Sequence, residues 1–116
     1  MDIVLWRVKI KPGKESLARE WLAFLEANKA EGNKTLKNEK EHLEIYFTNQ
    51  ENGAMYAYMF VLADDLEYAA KVAQASGNPL DAKHFEYMTA CVDPDDCVSL
   101  KPELAMGDFS VFGESN

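Results

Sequence analysis

Glu44, Tyr46 and Thr48 alternate along one apolar-rich segment of this 116-residue chain, so an extended backbone would turn all three to the same side. Arg7 sits in a second alternating segment, sharing its side with Ile3, Leu5 and Lys9. A carboxylate, a phenol and a guanidinium on one surface could orient a small polar ligand or supply general acid–base help. The same groups could instead form an Arg–Glu pair that fixes the register of a dimer. His84 falls on a helical stripe with Leu80, Met88 and Cys91. There a core histidine, satisfied by a carbonyl or a carboxylate, is the simpler reading. His42 begins an edge strand and is expected to be solvated.

Other chemistries are excluded by spacing. The chain has two histidines and two cysteines, and no pair of them has metal-ligand spacing. No metal and no cofactor are therefore expected. A calcium loop starting at Asp93 would place Val98 where the glycine belongs and Leu104 where the bidentate glutamate belongs. The Pro12-Gly13-Lys14 turn lacks the glycine and the hydroxyl residue of a phosphate loop, and no dinucleotide fingerprint or nucleophile elbow occurs. Trp6 and Trp21 read as core residues.

The formal charge is −8 and the isoelectric point near 4.7. Nucleic acid and anionic membrane surfaces both need a basic footprint, so neither is an expected partner. The first segment lacks a basic start and is broken by Arg7, unlike a signal peptide or a membrane span. The expected compartment is the cytoplasm, with Cys91 and Cys97 as free thiols.

These groups must be positioned by regular elements. Ile3 to Ile10 is rich in β-branched residues and stops at Pro12-Gly13. Leu17, Trp21, Phe24, Leu25 and Asn28 then fall at helical spacing. Gly32-Asn33 weakens that helix, with Leu36 still in phase. His42 to Gln50 and Ala54 to Leu62 read as strands around an Asn52-Gly53 turn. Asp64, with Glu67 three residues on, opens a helix that ends near Gly77. Asn78-Pro79 starts another, through about Cys91, and Asp93-Pro94 is expected to stop it. Val98 to Met106 is the predicted last strand. The order is that of the ferredoxin-like fold: α+β, an antiparallel βαββαβ sheet with helices on one face. The folded domain is expected over residues 1–106, followed by a tail over 107–116.

The turn fixes the hairpin register. Phe47 falls opposite Tyr58, Ile45 opposite Phe60 and Leu43 opposite Leu62. This wholly apolar set is expected to face the helices, together with Val4, Trp6, Val8 and Ile10. The open face would then carry Arg7, Glu44, Tyr46 and Thr48. It would also carry the apolar set Ile3, Leu5, Met55, Met59 and Val61. Burying that set at ~2 kcal/mol per side chain contributes roughly 10 kcal/mol. Association costs about 4–15 kcal/mol. A homodimer packed sheet against sheet is expected, with Phe109, Val111 and Phe112 of the tail adding area on the mate.

The stretches LWRVKIKPGKESLAREWLAFL, NPLDAKHFEYMTAC and VSLKPELAM, with the hairpin between them, resemble a family of small bacterial proteins known only as a domain of unknown function. The resemblance spans residues 3 to about 106. Gly32-Asn33 departs from the family's unbroken first helix, and the tail has no counterpart. That family is similar to the dimeric α/β barrel proteins, whose subunits are ferredoxin-like. The likeness implies a fold and dimerisation, and carries no catalytic residues. The wider superfamily includes cofactor-free monooxygenases, haem-degrading enzymes and isomerases, some with a helix histidine as haem ligand, a role His84 could take only beside an open pocket. Two functions follow. The first is a binding or structural module. The alternative is a cofactor-independent monooxygenase, isomerase or lyase with a cleft between sheet and helices, which would require converging polar groups there.

Overall fold

The computed structural model describes residues 1–113. Strand β1 (Asp2–Ile10) is followed by helices α1 (Glu15–Ala27) and α2 (Lys29–Glu39). Strands β2 (Glu41–Glu51) and β3 (Ala54–Ala63) form the hairpin. Helices α3 (Leu66–Ala75) and α4 (Pro79–Cys91) lead into β4 (Val92–Leu100), and a 3-10 turn spans Phe109–Phe112. The four strands pair antiparallel in the order β2-β3-β1-β4, the ferredoxin-like arrangement. Among the described residues no helix is long and apolar enough to cross a membrane.

Local chemistry explains most boundaries. Asn52 and Gly53 take φ of 53° and 79°, the left-handed pair of a type I′ turn, and the hairpin register follows as expected. Asn78 accepts from the Leu80 amide at 2.8 Å, with Pro79 at the first position of α4. The cap of α3 is Asp65 rather than Asp64: its carboxylate accepts from the Glu67 and Tyr68 amides at 2.9 and 3.1 Å. Asp64 instead meets His42 Nε2 at 2.6 Å, so His42 is half-buried and paired rather than solvated. Gly32-Asn33 does not break a helix. The break falls at Asn28, whose side-chain amide donates to the Phe24 carbonyl at 2.8 Å, and α2 runs on through the glycine.

Strand β4 begins at Val92, directly after α4, not at Val98. Ile10 pairs with Val92 and Val8 with Cys97, so Asp93-Pro94-Asp95-Asp96 bulges out opposite Lys9. An edge strand tolerates this proline because its amide has no ladder to serve. The expected stop signal is thus a bulge. Both cysteines are free, Cys91 buried and Cys97 exposed.

The two faces of the hairpin are reversed from expectation. Val4 pairs with Val61, Trp6 with Met59 and Val8 with Ala57, so these residues share the helix side. Met55, Met59 and Val61 are buried there at 1, 7 and 8 % exposure and belong to the core, not to the open face. Only Ile3 and Leu5 of the expected dimer-face set lie outside, whereas Ile45 and Phe47, assigned to the core, are 41 and 54 % exposed. Hairpin register says which residues share a face. It does not say which face the helices cover; the β1–β3 pairing does.

Trp21 is fully buried, packed among Val8, Ile10, Ala57, Tyr87 and Cys91. Trp6 is not core: it is 37 % exposed, beside an internal hollow. Phe112 lies 5.6 Å from the His42 ring of its own chain, while Val111 is exposed. A side chain at Gly32 would meet only Leu80 Cδ2, at 3.8 Å. Gly32→Ala is therefore expected to stabilise the protein by about 0.5–1 kcal/mol through helix propensity. Thermal unfolding checks this as a Tm rise of about 2–5 °C, and a fall would mean that α2 and α4 cannot give at that contact.

Candidate active site

A cavity of about 610 Å³ opens between the sheet and helices α3 and α4. That volume suits a small molecule. Its floor is the inner face of the sheet, with Val4 and Trp6 from β1 and Met59 and Val61 from β3. Its roof is α3, whose Ala69, Ala70 and Ala73 leave room because their side chains are short. Phe85 and Met88 of α4 close one side.

Polar groups converge on this apolar chamber from separate elements. Strand alternation turns Glu44 and Tyr46 inward together. Asp81 and His84, three apart on α4, share the helix face above them. Glu39 ends α2, and the left-handed Lys40 (φ 57°) reverses the chain so that Glu41 enters as well. Tyr46 donates its hydroxyl proton to Glu44 Oε1. The Trp21 indole donates to His84 Nδ1 at 3.0 Å, which fixes Nδ1 as an acceptor and leaves Nε2 as the remaining nitrogen.

Burial and crowding shift these groups. Glu41 is pushed up to about 9, first by burial, then by Glu44, and then by the charges of Glu39 and Asp81. One of its oxygens, Oε2, is buried without a hydrogen-bond partner. Burial, with Glu44 and Asp81 behind it, raises Glu39 to about 7. Tyr46 is raised by burial and then by Glu44. His84 is lowered by burial, against the pull of Glu44 and Asp81. At neutral pH the chamber thus holds Glu41 as a protonated carboxyl, and burial favours the uncharged imidazole of His84. Among the described residues no group of three or more His, Cys, Asp or Glu side chains is placed to hold a metal ion.

A family model matches residues 1–109 of the chain. The chain belongs to the family of unknown function DUF6176. No curated protein sequence matches this DUF6176 member. Its fold is similar to that of an uncharacterised NIPSNAP domain protein from Burkholderia xenovorans. The two chains share 16 % identity over 93 % of this chain and 100 % of the other, with a TM-score of 0.54. It is also similar to L-rhamnose mutarotase from Formosa agariphila, at 19 % identity over 92 % of this chain and 98 % of the other, with a TM-score of 0.50. The ferredoxin-like fold read from the sequence therefore holds.

The expected polar set does not stay together. Glu44 and Tyr46 join His84 inside, and Thr48 shares their face. Arg7 lies on the opposite face, where Nη2 meets Glu51 Oε1 at 2.5 Å and the guanidinium stacks 3.8 Å over Tyr56. Its Nε donates to Tyr58 at 3.3 Å, and Tyr58 and Tyr56 donate in turn to Glu51 and Asp96. Tyr58 first, then Arg7, lowers the Glu51 carboxyl. The partner of Arg7 is thus Glu51, not Glu44. His84 is neither a carbonyl-bound nor a carboxylate-bound core residue; an indole holds it at the cavity wall. Glu39, Glu41 and Asp81 were not singled out by sequence. Their signal was the density of carboxylates across Glu39–Glu44 and the Asp81–His84 spacing.

A carboxyl raised on folding costs stability as pH climbs, because the unfolded chain releases its proton first. Glu41 titrates near 4.5 unfolded and near 9 folded, so the loss accumulates between those values. His84 and Glu51 shift downward, and their losses lie on the acid side. From about pH 6.5 to about pH 8 the Tm is expected to fall, and Glu41→Gln is expected to flatten that slope. Parallel slopes for the two proteins would contradict the burial of this carboxyl.

Proposed function

We propose that the protein is a cofactor-independent acid–base enzyme, of the isomerase or lyase type, with the sheet–helix cavity as its active site. The observation that carries this reading is the convergence, inside one apolar chamber, of Glu41, a carboxyl that keeps its proton near neutrality, and Glu44, held by the Tyr46 hydroxyl. Glu41 would serve as general acid and Glu44 as general base, oriented by the Tyr46 hydroxyl. His84, uncharged and pinned through Nδ1, would present Nε2 to the ligand. A pure binding module would have no reason to hold carboxylates unpaired in such a space; Leu, Phe or Met would fill it at lower cost. One structure of this fold is named a mutarotase, and anomer interconversion is itself an acid–base reaction.

Proton exchange in D2O tests this without knowledge of the product. The protein is incubated with a panel of small aldoses, amino sugars and amino ketones, and C–H exchange and anomer interconversion are followed by NMR. At least one compound is expected to exchange faster, with rates falling 10²-fold or more in Glu41→Gln and Glu44→Gln. Ligands that bind the cavity with no acceleration of any would return the protein to the binding-module reading.

We further propose that the enzyme is a homodimer joined through its open sheet face. Ile45, Phe47, Val98 and Leu100 are exposed there, with Leu5 and Phe60 between them. An apolar surface of this kind usually marks an interface. The Arg7–Glu51 cluster on the same face would set the register of the two sheets. The exposed Val111 of the tail remains available to the mate, whereas Phe112 is engaged on its own chain. Size-exclusion chromatography with light scattering is expected to give a dimer at micromolar concentration. Phe47→Glu is expected to give a monomer with an unchanged circular dichroism spectrum, and a monomeric wild type would refute the interface.

A further inference from the structure

All but one of the cavity's charge-bearing lining side chains, the neutral imidazole aside, are carboxyls. Glu39, Glu41 and Glu44 line one end, Asp81 faces them from α4 and Glu67 from α3. Lys101 is the single cationic side chain among the lining residues. Lys40, next in sequence to two of the glutamates, extends over the Tyr68 ring at 5.2 Å instead. Among the described residues, no salt bridge reaches any of the five carboxyls. Asp81 accepts a hydrogen bond from the Ser76 hydroxyl at 2.6 Å and Glu44 one from the Tyr46 hydroxyl, but neutral donors bring no positive charge. The imidazole offers no compensation, because Trp21 occupies its Nδ1 and burial keeps it uncharged.

Carboxylates gathered in an apolar chamber are unfavourable unless something of opposite charge joins them. The carboxyls are not placed to hold a metal ion. Two rings with free surface, Trp6 and Phe85, line the same cavity, at 37 and 42 % exposure. Aromatic faces beside carboxylates attract an organic cation and the hydrocarbon attached to it. In the same group, Glu41 Oε2 has no donor from the described residues.

We infer that the cavity's ligand is a small organic cation, a primary amine on an apolar or aromatic body, seated between the Glu41–Glu44–Asp81 group and the Trp6 and Phe85 rings. This rests on the proposed function only in requiring that the cavity hold a ligand. Anionic molecules are repelled. Arrival of the ammonium favours the ionised form of its neighbours, so Glu39, held at about 7 by burial and like charge, gives up its proton while Glu41 keeps its own, and binding near neutral pH releases protons. Glu39, Glu41, Glu44, Tyr46, Glu67, Asp81, His84, Cys97 and Lys101 are the titratable groups that share this field.

Three probes of matched shape test the inference: 2-phenylethylamine, 2-phenylethanol and phenylacetate, titrated into the full chain and followed by NMR at the Trp6 and His84 signals. The amine is expected to bind at least about tenfold more tightly than the alcohol, and phenylacetate not at all, a difference of about 1.4 kcal/mol. Glu44→Gln and Asp81→Asn, each checked for fold by circular dichroism, should each reduce the amine preference severalfold. Calorimetry of the amine in buffers of different ionisation enthalpy should show proton release. An alcohol bound as well as the amine would overturn the cation inference and leave the site standing. If none of the three perturbs the cavity signals, the cation inference falls, and the proton-exchange panel alone decides the proposed function.

Discussion

The hydrogen bond from the Trp21 indole to His84 Nδ1 ties this molecule together. Trp21 is fully buried on α1, and it meets His84 of α4 on one side and the edge of Tyr46 of β2 on the other, each ring 5.8 Å away. One side chain therefore joins the first helix, the last helix and the far strand of the sheet. The bond satisfies a buried donor that would otherwise be costly. It also fixes the imidazole tautomer, and its ring sets the position of the phenol that donates to Glu44. The cavity chemistry is thus held from behind, by a core residue that does not line the chamber.

The sheet divides the molecule's two surfaces by kind. Its inner face mixes core packing at one end, around Val8, Ile10 and Met55, with a chamber at the other, where α3 stands over Val4, Trp6 and Val61. Along β2 its outer face is the more apolar of the two, while elsewhere that face is interrupted by Arg7, Glu51 and their tyrosines. The usual order of a two-layer protein, greasy inside and polar outside, is inverted along β2. Polar groups are drawn inward by a cavity, and apolar groups are pushed out to a face that the helices do not reach.

That inversion limits how much could be read from residues. The hairpin, its register, the caps at Asn78 and the element order were legible because each depends on contacts within a few residues. The α3 cap was misplaced by one residue because Asp64 and Asp65 are chemically alike, and only the position of His42 separates them. The β4 start was missed because Pro94 reads as a terminator, yet on an edge strand it merely bulges. The face assignment failed because the apolar count favoured the wrong side.

The sequence by itself determined the antiparallel ferredoxin-like order, the pairing of β2 with β3, and the presence of Glu44, Tyr46 and His84 as candidate groups. Local periodicity and turn chemistry suffice for these. Only the tertiary structure decided that β1 pairs Val4 with Val61 and Trp6 with Met59, and so which face of the hairpin lies beneath the helices. The same long-range pairing moved Arg7 away from Glu44 and brought Glu39, Glu41 and Asp81 in beside it. Such groupings join residues that are distant along the chain, and no local pattern encodes them.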